Sequence, residues 1–338
     1  MIDTCLDKEI TPWITLYHWD LPQILEDKGG WTSRDVVDWF SEFSNICTLR
    51  FGDRVKQWIP INEPASFTIL GYLTGLHAPG RHGIHHFLSA AHHVLLAMAE
   101  GGRIIRSNVP DATIGTALSC SYVEPFKRIP RHEKAARRID VLLNRLFIEP
   151  TLGMGYPMQD LPFLRKIEKY IIPGDEEKIK FDFDFTGLQN YFRVIGKSGI
   201  IPYIWANQVK NKDKNAEFTQ LGWEVYPDGI YQIIKQFARY PIKKMIITEN
   251  GASFADHLTD GSIHDTARTS FFKGYLSSVL RAKKEGVDIG GYFVWTLLDN
   301  FEWSFGYQPK FGLVYDDFNT QQRIVKDSGR WFQEFLKQ

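Results

Sequence analysis

The sequence predicts a single α/β domain built on a mainly parallel sheet, and three observations predict it. Short apolar, β-branched or aromatic runs alternate with longer amphipathic stretches. No linker, low-complexity segment or short-period repeat breaks the 338 residues, so one domain over 1–338 is expected. Polar and aromatic residues gather just after the strand candidates, which in a parallel barrel is the face that carries chemistry.

The strand candidates are residues 13–17 (WITLY), 55–61 (VKQWIPI), 113–119 (TIGTALS), 185–189 (FTGLQ), 244–248 (KMIIT) and 291–296 (GYFVWT). Their alternation with helical stretches fits βα repeats and a mainly parallel sheet, with about six βα units present. Helical patterns fill the gaps. Residues 33–51 open on Ser33, an N-cap candidate, and carry Val36, Val37, Phe40 and Phe43 at helical spacing. Residues 86–108, 131–147, 228–240, 266–285 and 328–337 follow. The stretch 196–226 reads as a long irregular loop, a length that usually marks function or motion. Gly101-Gly102 and Gly290-Gly291 lack the flanks of a phosphate loop and read as turns.

Composition narrows the function. Lys+Arg and Asp+Glu are both 40, so nothing draws the chain to nucleic acid or an anionic membrane. No run is apolar enough to span a bilayer. Cys5, Cys47 and Cys120 are too few and too scattered for a disulfide framework, and they read as buried thiols in a reducing cytoplasm. The first residues lack the basic and apolar segments of a signal peptide. Adjacent histidines, His85-His86 and His92-His93, point to different sides of a helix and make no ligand set, so no metal or other cofactor is expected. The 10 Trp, several beside carboxylates, suggest a site where rings stack on sugar faces.

Glycoside cleavage needs two carboxyl groups, one protonated to release the leaving oxygen and one ionised to meet the anomeric carbon. Glu63 and Glu249 each stand between a hydrophobic strand and a polar turn. The segment Ile61-Asn62-Glu63-Pro64 and the segment Ile247-Thr248-Glu249-Asn250-Gly251 resemble the acid/base and nucleophile motifs of glycoside hydrolase family 1. Leu16-Tyr17-His18-Trp19-Asp20-Leu21-Pro22 and the run from Trp295 to Trp303 (WTLLDNFEW) join them in the same order. The resemblance covers essentially the whole chain.

It implies a retaining β-glycosidase of β-glucosidase type. Glu63 would protonate the aglycone oxygen and then activate water; Glu249 would form the glycosyl-enzyme. Asn62 would bind the sugar 2-hydroxyl, and Tyr191, beside Asn190, would orient Glu249. His18 and Trp19 would touch the glycone near its 3-hydroxyl, Trp295 would form the stacking floor, and Glu302 with Trp303 would hold the 4- and 6-hydroxyls. A carboxylate at Glu302 disfavours phosphosugars and favours an unphosphorylated β-glucoside, β-galactoside or β-fucoside, with Lys310 nearby as a partial counterweight. Trp223 fits the aglycone side and loop packing equally well.

The resemblance also implies an α/β fold of the (β/α)8 TIM-barrel type, here incomplete, because the two βα units expected ahead of residue 13 are not in this sequence. They normally supply a glutamine for the 3- and 4-hydroxyls and an arginine that pairs with the nucleophile. An open barrel exposes sheet edges, so weakened or absent activity and a homo-oligomer that covers the opening are expected. A non-catalytic sugar-binding or scaffold protein, and a fragment completed by another chain, are the alternatives.

Overall fold

The computed structural model describes residues 1–337. Its central sheet uses β1 (Trp13–Tyr17), β2 (Gln57–Ile61), β3 (Thr113–Ile114), β4 (Leu118–Ser119), β5 (Thr186–Gln189), β6 (Met245–Asn250) and β7 (Ile289–Val294). Every pairing among them is parallel. β3 and β4 occupy one position in the sheet, and bridges from Gly115 to Phe185 and from Asn62 to Ala117 carry the ladder through the break between them. The order is therefore β1, β2, β3 with β4, β5, β6, β7, with helices between successive strands. Among the described residues, β1 and β7 pair with no strand on their outer sides.

The concave face of this sheet holds a small cluster of Ile59, Ala117, Phe185 and Ile246, with Trp13 packed on it. Trp13 lies 5.3 Å from the Phe185 ring and 5.1 Å from that of Phe293, so side chains from the two edge strands meet across the opening. Phe293 nonetheless stays 40% exposed. The larger core lies outside the sheet, under the helices. Helices Val36–Phe51 and Ile84–Asn108 pack closely because Gly101 has no Cβ; one built there would fall 2.7 Å from the Phe40 ring.

Several boundaries differ from the sequence reading, each for a physical reason. Gly101-Gly102 and Gly290-Gly291 are not turns. They lie inside a helix and a strand, where neighbouring side chains come close. β6 runs on through Glu249 and Asn250, because backbone pairing to β5 and β7 continues past the apolar run. β7 stops at Val294, leaving Trp295 and Thr296 beyond it. Ser33 is not the N-cap: Gly30–Thr32 forms a separate turn, and the helix begins after Asp35. The helix expected over 131–147 is regular only over Pro130–Asp140 and continues as the wider turn Val141–Arg145.

The stretch 196–226 is less irregular than expected. Val194–Ser198 and Ala206–Val209 form a hairpin that adds to Val123–Pro125 as a three-stranded outer sheet. Its strands are too short and polar to show an alternating pattern, but their backbone groups still need partners. Cys120 is buried, Cys5 and Cys47 are half-buried, and all three are free thiols. Among the described residues no helix is long and apolar enough to cross a membrane.

Candidate active site

The strand ends bring the two glutamates together. Glu63 follows β2 with φ of +45°, a left-handed conformation that few residues with a Cβ adopt. Its N–H donates to the Ala117 carbonyl at 2.8 Å, and the helical turn Pro64–Thr68 starts at once. The side chain is thus turned off the strand line into the mouth of the sheet, 6% exposed.

Asn62 beside it is the centre of a fixed network. Its Oδ1 accepts from Gln189 Nε2 at 2.8 Å, its Nδ2 donates to His18 Nε2 at 3.1 Å, and its carbonyl accepts from Trp19 Nε1 at 3.1 Å. Three strand ends are joined through one side chain. Burial lowers the His18 pKa, so the ring is neutral, and acceptance at Nε2 leaves its proton on Nδ1.

Glu249 lies near the end of β6, opposite Gln189 in the ladder. Tyr191 donates its phenol to Glu249 Oε2 at 2.6 Å. Gly251 follows because a Cβ there would sit 1.8 Å from the Trp295 carbonyl oxygen. Asn190 lies just behind. Its Nδ2 donates to the Cys120 carbonyl at 2.8 Å, and its own carbonyl accepts from Asn250 Nδ2.

The electrostatics follow from burial. Desolvation first, then the Glu302 charge, pushes the Glu63 pKa up to about 7, while the Ser66 and Ser119 hydroxyls pull it back. Burial and the Glu63 charge push Glu249 well above the usual carboxylate range, while the Tyr191 phenol favours its ionised form. Glu302 is also pushed up to about 7, by burial, with a hydrogen bond to Trp295 opposing it. Among the described residues no Lys or Arg forms an ion pair with any of the three. Burial thus favours the neutral form of all three carboxyls, and at Glu249 the Tyr191 phenol opposes it.

The other wall is built of rings. Trp19 and Trp303 stack at 4.9 Å with 27° between planes, and both have positive φ. His18 lies 5.8 Å from Trp295 and 5.9 Å from Trp303. The structure thus groups His18, Trp19, Trp295, Glu302 and Trp303 on one side. Glu302 Oε2 is buried with no hydrogen-bond partner among the described residues. Lys310 does not reach Glu302; its ammonium lies over the Phe318 ring at 4.0 Å. Trp223 packs against Tyr191, Phe192 and Phe311.

Below Glu302 lies a group of buried charges. Lys326 Nζ bonds Asp256 at 2.5 Å and Asp299 at 2.9 Å, and Arg268 pairs with Asp256 and Asp265. Asp299 Oδ1 also accepts from the Gly312 N–H at 2.8 Å, which closes the Glu302 loop on itself. His92 bonds Tyr156 and Asp175, and His93 bonds the Trp31 carbonyl, so both rings serve packing. Among the described residues no group of three potential ligands is placed to hold a metal ion.

Gln189, Ser66, Ser119 and Lys326 were not singled out from the sequence. Gln189 ends a strand candidate, and that position could have marked it. Lys326 gave no signal, because nothing in a surface-like lysine foretells a buried partner.

The family model for Glycosyl hydrolase family 1 matches residues 1–338. The chain is 42% identical over 343 residues to a 1,4-beta-D-glucan glucohydrolase of Thermotoga neapolitana, matching 100% of this chain and 76% of that protein. It is 41% identical to Beta-glucosidase A of Thermotoga maritima, again over 76% of the relative. The solved family 1 β-glucosidase of Thermotoga maritima superposes with a TM-score of 0.95 at 40% identity, over 99% of this chain and 76% of that one.

Proposed function

This chain belongs to glycosyl hydrolase family 1 and is a glycoside hydrolase of β-glycosidase type, and we propose that it cleaves terminal β-D-glycosides with retention by double displacement. Glu249 attacks the anomeric carbon while Glu63 gives its proton to the departing oxygen. Glu63 then takes a proton from water, which releases the sugar from Glu249. The observation that carries this reading is the pairing of a buried Glu63, whose pKa burial raises to about 7, with a Glu249 oriented by Tyr191 at 2.6 Å.

The remaining residues bind and orient. Asn62, locked by Gln189 and His18, meets the 2-hydroxyl. His18 and Trp19 flank the 3-hydroxyl, Trp295 lies under the ring, and Asn190 supports Tyr191. Glu302, with a free buried oxygen, takes the 4- and 6-hydroxyls beside Trp303. With Lys310 held over an aromatic ring, a phosphorylated sugar finds only carboxylate there, so glucosides, galactosides and fucosides fit better. Trp223 stands on the aglycone side. The free thiols suit a reducing cytoplasm.

Two features weaken turnover in this reading. Among the described residues no Lys or Arg forms an ion pair with Glu249, and no strand pairs with the outer side of β1 or β7. The exposed Phe43, Ile46 and Leu49 on one helix face add apolar surface, which favours a homo-oligomer. The same features support a second reading, in which the chain binds sugar without turning it over or needs a complementing chain. Hydrolysis of p-nitrophenyl β-D-glucoside, beside trapping by a 2-deoxy-2-fluoroglucoside, separates the two. Covalent mass on Glu249, with kcat/KM below about 10⁴ M⁻¹s⁻¹, is expected. No adduct and no hydrolysis would favour the binding reading. A strictly monomeric species in light scattering at micromolar concentration would remove the oligomer.

A further inference from the structure

The loop that carries Trp223 is fastened to the strand end that carries Tyr191 by one charged fork. Arg193 donates from Nε to Glu224 Oε2 at 2.7 Å and from Nη2 to Glu224 Oε1 at 2.9 Å. Its third nitrogen reaches Glu124 at 2.7 Å, and its guanidinium carbon lies 3.7 Å from the centre of the Tyr226 ring. Glu224 is 8% exposed and also accepts from Asn211 at 2.6 Å. A buried ion pair is poor evidence for stability, since desolvation offsets most of its attraction. What a planar two-point fork supplies is geometry.

The neighbours of the fork are the informative part. Arg193 stands two residues after Tyr191, and Glu224 follows Trp223 directly. The Trp223 ring lies 5.5 Å from the Tyr191 ring, and the Tyr191 phenol is bonded to Glu249. We propose that Arg193 and Glu224 are a positioning pair for hydrolysis: by clamping the Trp223 loop, they hold Tyr191 in the one orientation that bonds Glu249. The inference rests on Glu249 being the reacting carboxylate.

The test reads Glu249 directly. The chain is labelled with ¹³C at the glutamate side-chain carboxyls and titrated by NMR in a Glu63→Gln background. The Glu249 resonance is assigned by its loss in Glu249→Gln. Tyr191→Phe removes the phenol donor, so its midpoint rises. Arg193→Lys keeps the charge but not the fork, and Glu224→Gln keeps the shape but not the charge. Both are expected to raise the midpoint in the same direction, and Arg193→Lys is expected to add nothing to Tyr191→Phe.

Loss of the Glu224 charge acting at long range would draw the midpoint down, so a rise reports geometry. An unmoved midpoint in either fork variant, with only a lower melting temperature, would make the fork a loop brace and overturn the proposal. A shift that adds to that of Tyr191→Phe would overturn it too, because the route would bypass Tyr191. Turnover is not needed, so a chain that fails to hydrolyse glucosides counts against the proposed reaction and leaves this test intact.

Discussion

One half of the pocket is tied by hydrogen bonds across neighbouring strands, and the other half is held by stacked rings beside two open edges. On the first side Gln189 bonds Asn62 and Tyr191 bonds Glu249 at 2.6 to 2.8 Å, and Asn62 reaches across to His18 at 3.1 Å. On the second, His18, Trp19, Trp295 and Trp303 make ring contacts at 4.9 to 5.9 Å, and Trp13 meets Phe293 from the facing edge strand at 5.1 Å. Hydrogen bonds fix an angle; ring contacts tolerate sliding. In the proposed reaction the bonded side holds the reacting groups and the ringed side meets the hydroxyls of the sugar.

The comparison can be broken most forcefully at Glu249. Glu249→Ala is expected to cut whatever hydrolysis the chain supports by about 10⁴-fold, about 5 kcal/mol of barrier, as measured with an aryl β-glucoside. A variant with near-normal rate would move the chemistry off the bonded side. The next effect belongs to the open side. Trp13→Ala removes the ring bridging Phe185 and Phe293 and is expected to cost about 3 kcal/mol, seen in urea unfolding. An unchanged midpoint would mean that the edge strands do not depend on each other.

Glu63→Gln should stabilise the fold. Its carboxyl titrates near 7 in the folded chain against an ordinary 4.5, so between those values the native state holds a proton the unfolded chain has released. Stability therefore falls as pH rises through this window, by about 3 kcal/mol at its upper end. The variant escapes that loss. It should melt a few degrees higher than the parent at pH 8 and equally at pH 4; equal melting at both would show that Glu63 is not strained by burial. The smallest effect is expected for Gln189→Leu, which frees Asn62. A fall of about tenfold in kcat/KM, roughly 1.4 kcal/mol, with an unchanged melting temperature would sharpen the contrast. A loss of stability alone would make Gln189 a packing residue.

The two halves also differed in how well the sequence revealed them. Strand-end residues on the bonded side were legible because a hydrophobic run marks each strand and the Asn-Glu-Pro and Glu-Asn-Gly segments that follow resemble the motifs of the family. The ringed side was legible as residue types, but not as contacts, since stacking of Trp19 on Trp303 joins positions 284 apart in sequence. Gln189 escaped notice because its work is done on Asn62, 127 residues away. The outer sheet around Val194–Ser198 escaped because its strands are short and polar. Gly101 looked like a turn because a glycine's packing role appears only when its neighbour, Phe40, is placed against it.

The Lys326 ammonium carries a consequence for how the pocket comes into being. It bonds Asp256 and Asp299 from the segment just before helix Asp327–Phe335, so the Glu302 loop is anchored by residues synthesised after it. As the chain leaves the ribosome, the two glutamates can be framed by their strands while that loop still has no counter-ion for Asp299. The Asp299 end of the Glu302 loop therefore gains its buried counter-ion only from the last tenth of the chain, and a clipped product lacking Lys326 would keep both glutamates on their strands while leaving Asp256 and Asp299 without that ammonium.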